Sequence, residues 1–239
     1  PISVIDRQLI EDSKEISIIP VLNRQIPGLF ITSRGVAGYG VSAGSAGSIN
    51  MRGFSGSSGR VLILIDGHPQ YATIYGHPIA DAYISSEIER IEVSRGAASV
   101  LYGSNAMGGA INLITKKITQ NGYNLKLNAA VGSYGTQQYS INNSFKKKGF
   151  TGYLGANYES TNGHRPNSDY NSLNVFAKAG YKISNDWEIT GNISLTDFYD
   201  ENPGAESNPI YESWAAVTRG MAGLSISNNY GITSGSLNI

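Results

Sequence analysis

The chain has 239 residues, and its 18 basic and 18 acidic side chains cancel to a formal net charge of zero, which argues against both a nucleic-acid surface and an acidic disordered tail. No cysteine is present, so disulfides, thiol catalysis and Cys-ligated zinc are excluded. The longest apolar run, Val61–Ile65, falls far short of the roughly 20 residues of a transmembrane helix, whereas 29 Gly and 15 Tyr beside frequent Asn and Ser suit strands and turns, including strands that cross lipid.

Read in chain order, the first half mixes short helix and strand signals. Ile2–Ile5 is an apolar run, and Asp6 caps a helical turn through Glu11. Ser17–Ile26 carries apolar residues near helical spacing and stops at Pro27-Gly28. Leu29–Thr32, Ile49–Arg52, Val61–Ile65, Ile88–Ser94 and Ala110–Thr115 read as strands, with a turn at Asp66-Gly67 and a helical turn at Ala97–Leu101. Long Gly/Ser loops occupy Gly35–Ser48 and Gly53–Arg60. Together these elements predict a compact α+β domain. No secretory leader pattern occurs at the amino end.

Near Lys116–Asn121 the pattern changes to period two. Leu125, Leu127, Ala129 and Val131 alternate with polar or small residues, as do Leu173, Val175, Ala177, Ala179 and Tyr181, and Trp187, Ile189, Ile193 and Leu195. About six such strands are predicted, most near the about 9–11 residues of a tilted membrane strand. Lys146–Gly149 and Ser184–Asp186 are tight connections, while Ser160–Ser172 and Asp200–Thr218 are long and polar. Tyr134, Tyr158, Tyr181, Trp187 and Tyr199 sit near strand ends, where interfacial aromatic girdles lie. A soluble antiparallel sandwich also alternates, so at this level both a membrane barrel and a sandwich stand open. Neutral Asn, Ser and Thr on the polar side suit a wet lumen.

The run from Glu89 to Lys116, ERIEVSRGAASVLYGSNAMGGAINLITK, closely resembles the plug signature of TonB-dependent outer-membrane receptors. Met51-Arg52-Gly53-Phe54 is similar to that family's arginine-glycine element, and Val61–Gly67 to its strand-and-turn element. Ala97 stands where proline is commoner. The resemblance implies an α+β plug domain over residues 1–118, followed over 123–239 by the first six or seven antiparallel strands of an incomplete transmembrane β-barrel of about 22 strands. It implies a receptor of the siderophore or cobalamin type in a Gram-negative outer membrane. Such a receptor binds its ligand from outside and takes energy from TonB through a coupling peptide expected before Pro1. Arg52 and Arg95 would lock the plug to carboxylates on later barrel strands, since a buried arginine cannot stay unpaired. By position, the apical plug loops would be Gly38–Gly47 and Gln70–Tyr83, with Gln70, Tyr71, Tyr75, His77 and Tyr83 offering polar tips on apolar bodies to a chelate. No cofactor or metal is expected. An open sheet would also make the isolated chain self-associate or require detergent.

Two other motifs invite chemistry. Gly40-Val41-Ser42-Ala43-Gly44 matches the nucleophile elbow of hydrolases, but the strand, helix and histidine that the elbow requires are not evident around it. His68-Pro69 and His77-Pro78 could suggest a metal pair, yet further ligands at suitable spacing are missing.

Overall fold

The computed structural model describes residues 2–31, 36–39, 49–51, 61–70, 79–96 and 106–239. Among these, two sheets of opposite character carry the architecture. In the first half the strands are β1 (Ile2–Ile5), β2 (Leu29–Ile31), β3 (Ile49–Met51), β4 (Val61–Ile65), β5 (His68–Pro69), β6 (Ile88–Arg95) and β7 (Gly109–Thr115). Five of them form a mixed sheet in the order β1-β6-β7-β4-β5, with β4 and β7 parallel, and β2 pairs with β3 separately.

Helix α1 (Arg7–Ser13) starts where the Asp6 carboxylate accepts the Leu9 N–H at 3.0 Å, and ends at Lys14 in the left-handed region. It therefore extends two residues past the predicted Glu11. Helix α2 (Ile19–Gln25) has Pro20 in its first turn, where the missing N–H costs nothing. Both helices pack on one face of the mixed sheet. Ile18, Ile19, Leu22, Ile63, Ile91, Val93, Ile111 and Leu113 form a single buried core there. β4 is buried at every position, as expected for a strand beneath helices in parallel pairing.

The Asp66-Gly67 turn takes positive φ at both residues, the twist a two-residue hairpin demands. Gly109 opens β7 at φ +150°, where a Cβ would come within 2.6 Å of the Ser94 carbonyl and the Met51 sulfur. Only glycine lets β7 pass that close.

The second half is one antiparallel sheet of seven strands in the order β16-β15-β12-β11-β10-β9-β8. These are β8 (Gly122–Val131), β9 (Gln137–Lys147), β10 (Phe150–Thr161), β11 (Tyr170–Lys182), β12 (Trp187–Glu201), β15 (Trp214–Asn229) and β16 (Ser234–Asn238). Between β12 and β15 a small hairpin joins β13 (Gly204–Ala205) to β14 (Asn208–Pro209). The sheet is open, ending at β8 on one side and β16 on the other. β12 reaches Glu201 and β15 begins at Trp214, so the long connection predicted over Asp200–Thr218 gives up its first two and its last five residues to the strands.

Burial in this sheet runs opposite to that of a soluble protein. Leu125, Leu127, Leu154, Leu173, Ile193, Leu195 and Leu224 are exposed, while Asn142, Asn157, Ser172, Asn174, Ser194 and Thr196 are buried. A sandwich would bury the first set. The parity is that of a membrane barrel, with apolar side chains outward and polar ones toward the lumen. Aromatic pairs lie at both rims: Tyr199 stacks on Trp214 and Tyr139 on Tyr158 toward the long connections, and Phe150 meets Tyr181 and Trp187 meets Tyr230 at the short ones. Trp187 and Tyr199 lie on the same strand, β12. At ~3.3 Å rise and ~45° tilt, their separation along the strand spans about 28 Å of depth, close to a hydrocarbon core.

Candidate functional site: the plug–wall interface

The mixed sheet lies against the polar face of the seven-stranded wall, and side chains from both sides meet there. At the β4–β5 turn, Asp66 sits between its own sheet and the wall. One carboxylate oxygen accepts the Thr115 N–H at 2.8 Å. The other accepts the Thr115 hydroxyl and the Lys178 ammonium, each at 2.6 Å. Lys178 also donates to the Thr115 hydroxyl at 2.6 Å. Both charges are about four-fifths buried. Burial alone would raise the Asp66 carboxyl, but Lys178 and the Thr115 bonds outweigh it and hold it below the usual carboxylate value.

Further along the same hairpin, Arg219 on β15 donates to the Gln70 side-chain oxygen at 3.0 Å, and the His68 ring lies 3.4 Å from the Ser225 hydroxyl. Two one-turn 3-10 segments follow, Ala80–Ala82 and Ser85–Glu87. The Tyr153 hydroxyl on β10 donates to the Ser86 carbonyl at 3.2 Å. Asp81 receives the Tyr39 N–H on both oxygens, at 3.0 and 3.2 Å, and the Tyr170 hydroxyl at 3.1 Å.

Glu87, 4% exposed, is a further buried acid at this seam. Burial first, then the nearby Asp66 carboxylate, push it up to about 8 against the opposing pull of Lys116. It is thus neutral at pH 7. A polar cleft of about 880 Å³ separates α1 from the β8–β9 wall, with Glu11, Lys116, Lys126 and Asn128 among its lining.

Of the residues singled out from sequence, Arg52, Tyr71, Tyr75 and His77 lie outside the described residues, as does the Gly40–Gly44 motif. Gln70 and Tyr83 are not exposed loop tips. Gln70 is 5% exposed, with its side-chain N–H donated to the His68 carbonyl and its oxygen taken by Arg219. Tyr83 is fully buried in the core because its backbone is clamped to the start of α2: Ile18 N–H donates to the Tyr83 carbonyl and Ser85 N–H to the Ile16 carbonyl. Burial raises the Tyr83 phenol, so it stays protonated. Arg95 is half-buried at the end of β6, and its Nε is buried without a hydrogen-bond partner among the described residues. Among those residues no cluster of three or more His, Asp or Glu could hold a metal.

Sequence reading missed Asp66, Lys178, Arg219, Asp81 and Glu87. One signal was available. Lys178 sits on the lumen parity of β11, at a position otherwise held by Ser172, Asn174 and Phe176. A charge on an inward-facing position of a barrel strand requires a partner inside.

Comparison with known proteins agrees with this architecture. Residues 1–110 match the family model of the TonB-dependent receptor plug domain. The vitamin B12 transporter BtuB of Vibrio vulnificus is 29% identical over 224 residues, covering 90% of this chain and 35% of the transporter. Among solved structures, FpvA of P. aeruginosa in complex with a heterologous ferric pyoverdine superposes with a TM-score of 0.76 at 18% identity, over all of this chain and 33% of that one. The siderophore receptor PirA of Acinetobacter baumannii gives 0.73 at 20% identity, over 99% of this chain and 39% of that one. The chain thus spans about a third of the length of the relatives it matches. Plug signature, inverted wall and polar seam point the same way: residues 1–110 are similar to the TonB-dependent receptor plug domain, and the chain as a whole shares the fold of plug and antiparallel wall strands seen in the receptor structures it superposes on.

Proposed function

We propose that a complete barrel, of which these strands form the opening part, imports a ferric siderophore or a similarly bulky nutrient across an outer membrane, with residues 1–118 as its stopper. The observation that supports this most is the reversed burial of the wall. Apolar side chains face outward while Lys178, Arg219 and Tyr170 face inward and grip a separate domain. Such a wall needs lipid on one side and an occupied lumen on the other. TonB is the energy-supplying partner in this reading. Ligand contact in this reading falls to Tyr71, Tyr75 and His77, which the sequence assigns to an apical plug loop. Arg52 and Arg95 anchor the plug to carboxylates on further strands in this reading, and the Arg95 Nε, which meets no hydrogen-bond partner among the described residues, supports that role.

Cobalamin is the second reading, favoured by the vitamin B12 transporter relative. Titrating the full-length receptor in detergent with ferric pyoverdine, ferric enterobactin and cyanocobalamin separates the two. Saturable binding of an iron chelate alone supports the first, and of cyanocobalamin alone the second. Recovery of the receptor outside the outer-membrane fraction, with no probe bound, contradicts both. Residues 1–239 produced alone should associate through the unpaired edges of β8 and β16 and the apolar outer face. A monodisperse monomer in detergent-free buffer would contradict that expectation.

A further inference from the structure

Near the rim that carries the long connections, three segments distant in sequence converge on the Asp81 carboxylate, which is 5% exposed. Tyr39 belongs to residues 36–39, and its N–H is shared by both carboxylate oxygens. Asp81 itself lies in the 3-10 turn Ala80–Ala82. Tyr170 is the first residue of β11, and its hydroxyl donates to the same carboxylate from the wall.

The fit is close. Gly38 has φ +84°, and a Cβ there would lie 2.5 Å from the Tyr170 ring and 3.2 Å from an Asp200 carboxylate oxygen. A small apolar cluster seals the place, in which Ile79, Ala82, Tyr170 and Phe198 pack with Ala37 and Val217. The chain leaves this junction along residues 40–48 after Tyr39, arrives through 71–78 before Ile79, and reaches Tyr170 through the connection 162–169.

We infer that Asp81 is a positioning residue that fixes the roots of two plug segments relative to each other and to the outer end of β11, so that ligand contact on one of them is felt by the other and by the wall. This rests on the import reading above, in which those segments face the ligand. The physical basis is that a buried carboxylate must keep its donors. Moving any one of the three segments leaves a charged acceptor short of a bond in a water-poor site, so the three shift together or not at all. Neutral isosteres loosen that requirement. An Asn at 81 keeps the volume but loses the charge, and a Phe at 170 removes the bond that Tyr170 makes to Asp81 from the wall.

The test uses the full-length receptor with Asp81→Asn, Tyr170→Phe and the double variant, read by hydrogen–deuterium exchange and by titration with ferric pyoverdine, ferric enterobactin and cyanocobalamin. In Asp81→Asn, the Tyr39 amide should exchange about tenfold faster, and the affinity of whichever probe binds should fall about tenfold. Tyr170→Phe should raise exchange in 36–39 and 79–82 by a smaller factor, although the altered atom lies on the wall. The double variant should be no worse than Asp81→Asn. Unchanged exchange in 36–39 for both single variants would overturn the junction. Faster exchange with unchanged affinity would overturn its role in positioning the ligand. Should no probe bind the unsubstituted receptor, the import reading fails on its own account, and the exchange measurements still decide whether the three segments are coupled.

Discussion

The plug and the wall obey opposite rules of burial, and the contrast locates their solvents. In the plug, Ile63, Ile91, Ile111 and Leu113 are sealed beneath α1 and α2, as in any water-soluble α+β domain. In the wall, Ile193 and Leu195 are half exposed while Ser194 and Thr196, which alternate with them, are buried. The same chain therefore holds one domain whose core excludes water and one sheet whose dry side points away from the protein. Hydrogen bonds join them at Asp66 to Lys178, Gln70 to Arg219 and Asp81 to Tyr170, beside one small apolar cluster in which Ile79 and Ala82 meet Tyr170, Phe198 and Val217.

The comparison can be broken most forcefully by placing a charge on each apolar set. Ile111→Arg puts an unpaired cation in the plug core and should cost several kcal/mol, enough to unfold the plug; protease digestion of the receptor would show the plug cut while the barrel survives. Ile193→Arg, near mid-depth of β12, should cost about 2–4 kcal/mol in a bilayer. On a protein surface in water it would cost under about 0.5 kcal/mol. Refolding equilibria in lipid vesicles separate the two values.

The seam itself comes next. Lys178→Met leaves the Asp66 carboxylate largely buried with only Thr115 beside it, which should weaken plug docking by about 1–3 kcal/mol. Asp66→Asn in the same background should recover part of that loss, because the orphaned charge is gone; thermal melting of the plug in detergent reads both. A smaller and pH-dependent effect belongs to Glu87. Its folded value of about 8 lies above its ordinary 4.5, so its contribution to stability is full below about 4.5 and drains away as pH rises through about 8. Glu87→Gln should flatten the fall in plug melting temperature between pH 6 and pH 9. Asp66 acts with the opposite sign: its lowered value means stability is lost only as pH falls below the ordinary 3.8. An unchanged pH profile in Glu87→Gln would show that the acid is already solvated and charged.

Much of this was legible from sequence because it is local. Period-two runs announced β8 to β12, the Asp66-Gly67 pair marked its hairpin, and Asp6 capped α1 as its side chain predicts. What stayed hidden depends on distant partners. Lys178 and Asp66 are 112 residues apart, and no neighbour of either residue announces the other. Tyr83 and Gln70 misled for the same reason. An aromatic and an amide in a polar stretch read as exposed tips, but the β-bridge between Ser17 and Ile84 draws Tyr83 inward, and Arg219 claims Gln70 from the wall. The strand ends were read short because polar residues at the rims of β12 and β15 continue the ladder above the apolar band.

The most direct test of the account asks which face of β12 touches lipid. These 239 residues contain no cysteine, so single Cys substitutions at Ile193, Ser194, Leu195 and Thr196 can each carry a nitroxide label in the receptor reconstituted in vesicles. Collision rates with lipid-soluble oxygen should be high at 193 and 195 and low at 194 and 196. Equal access of a water-soluble nickel reagent to 193 and 195, or the reverse alternation, would contradict a wall that turns its dry side to a membrane.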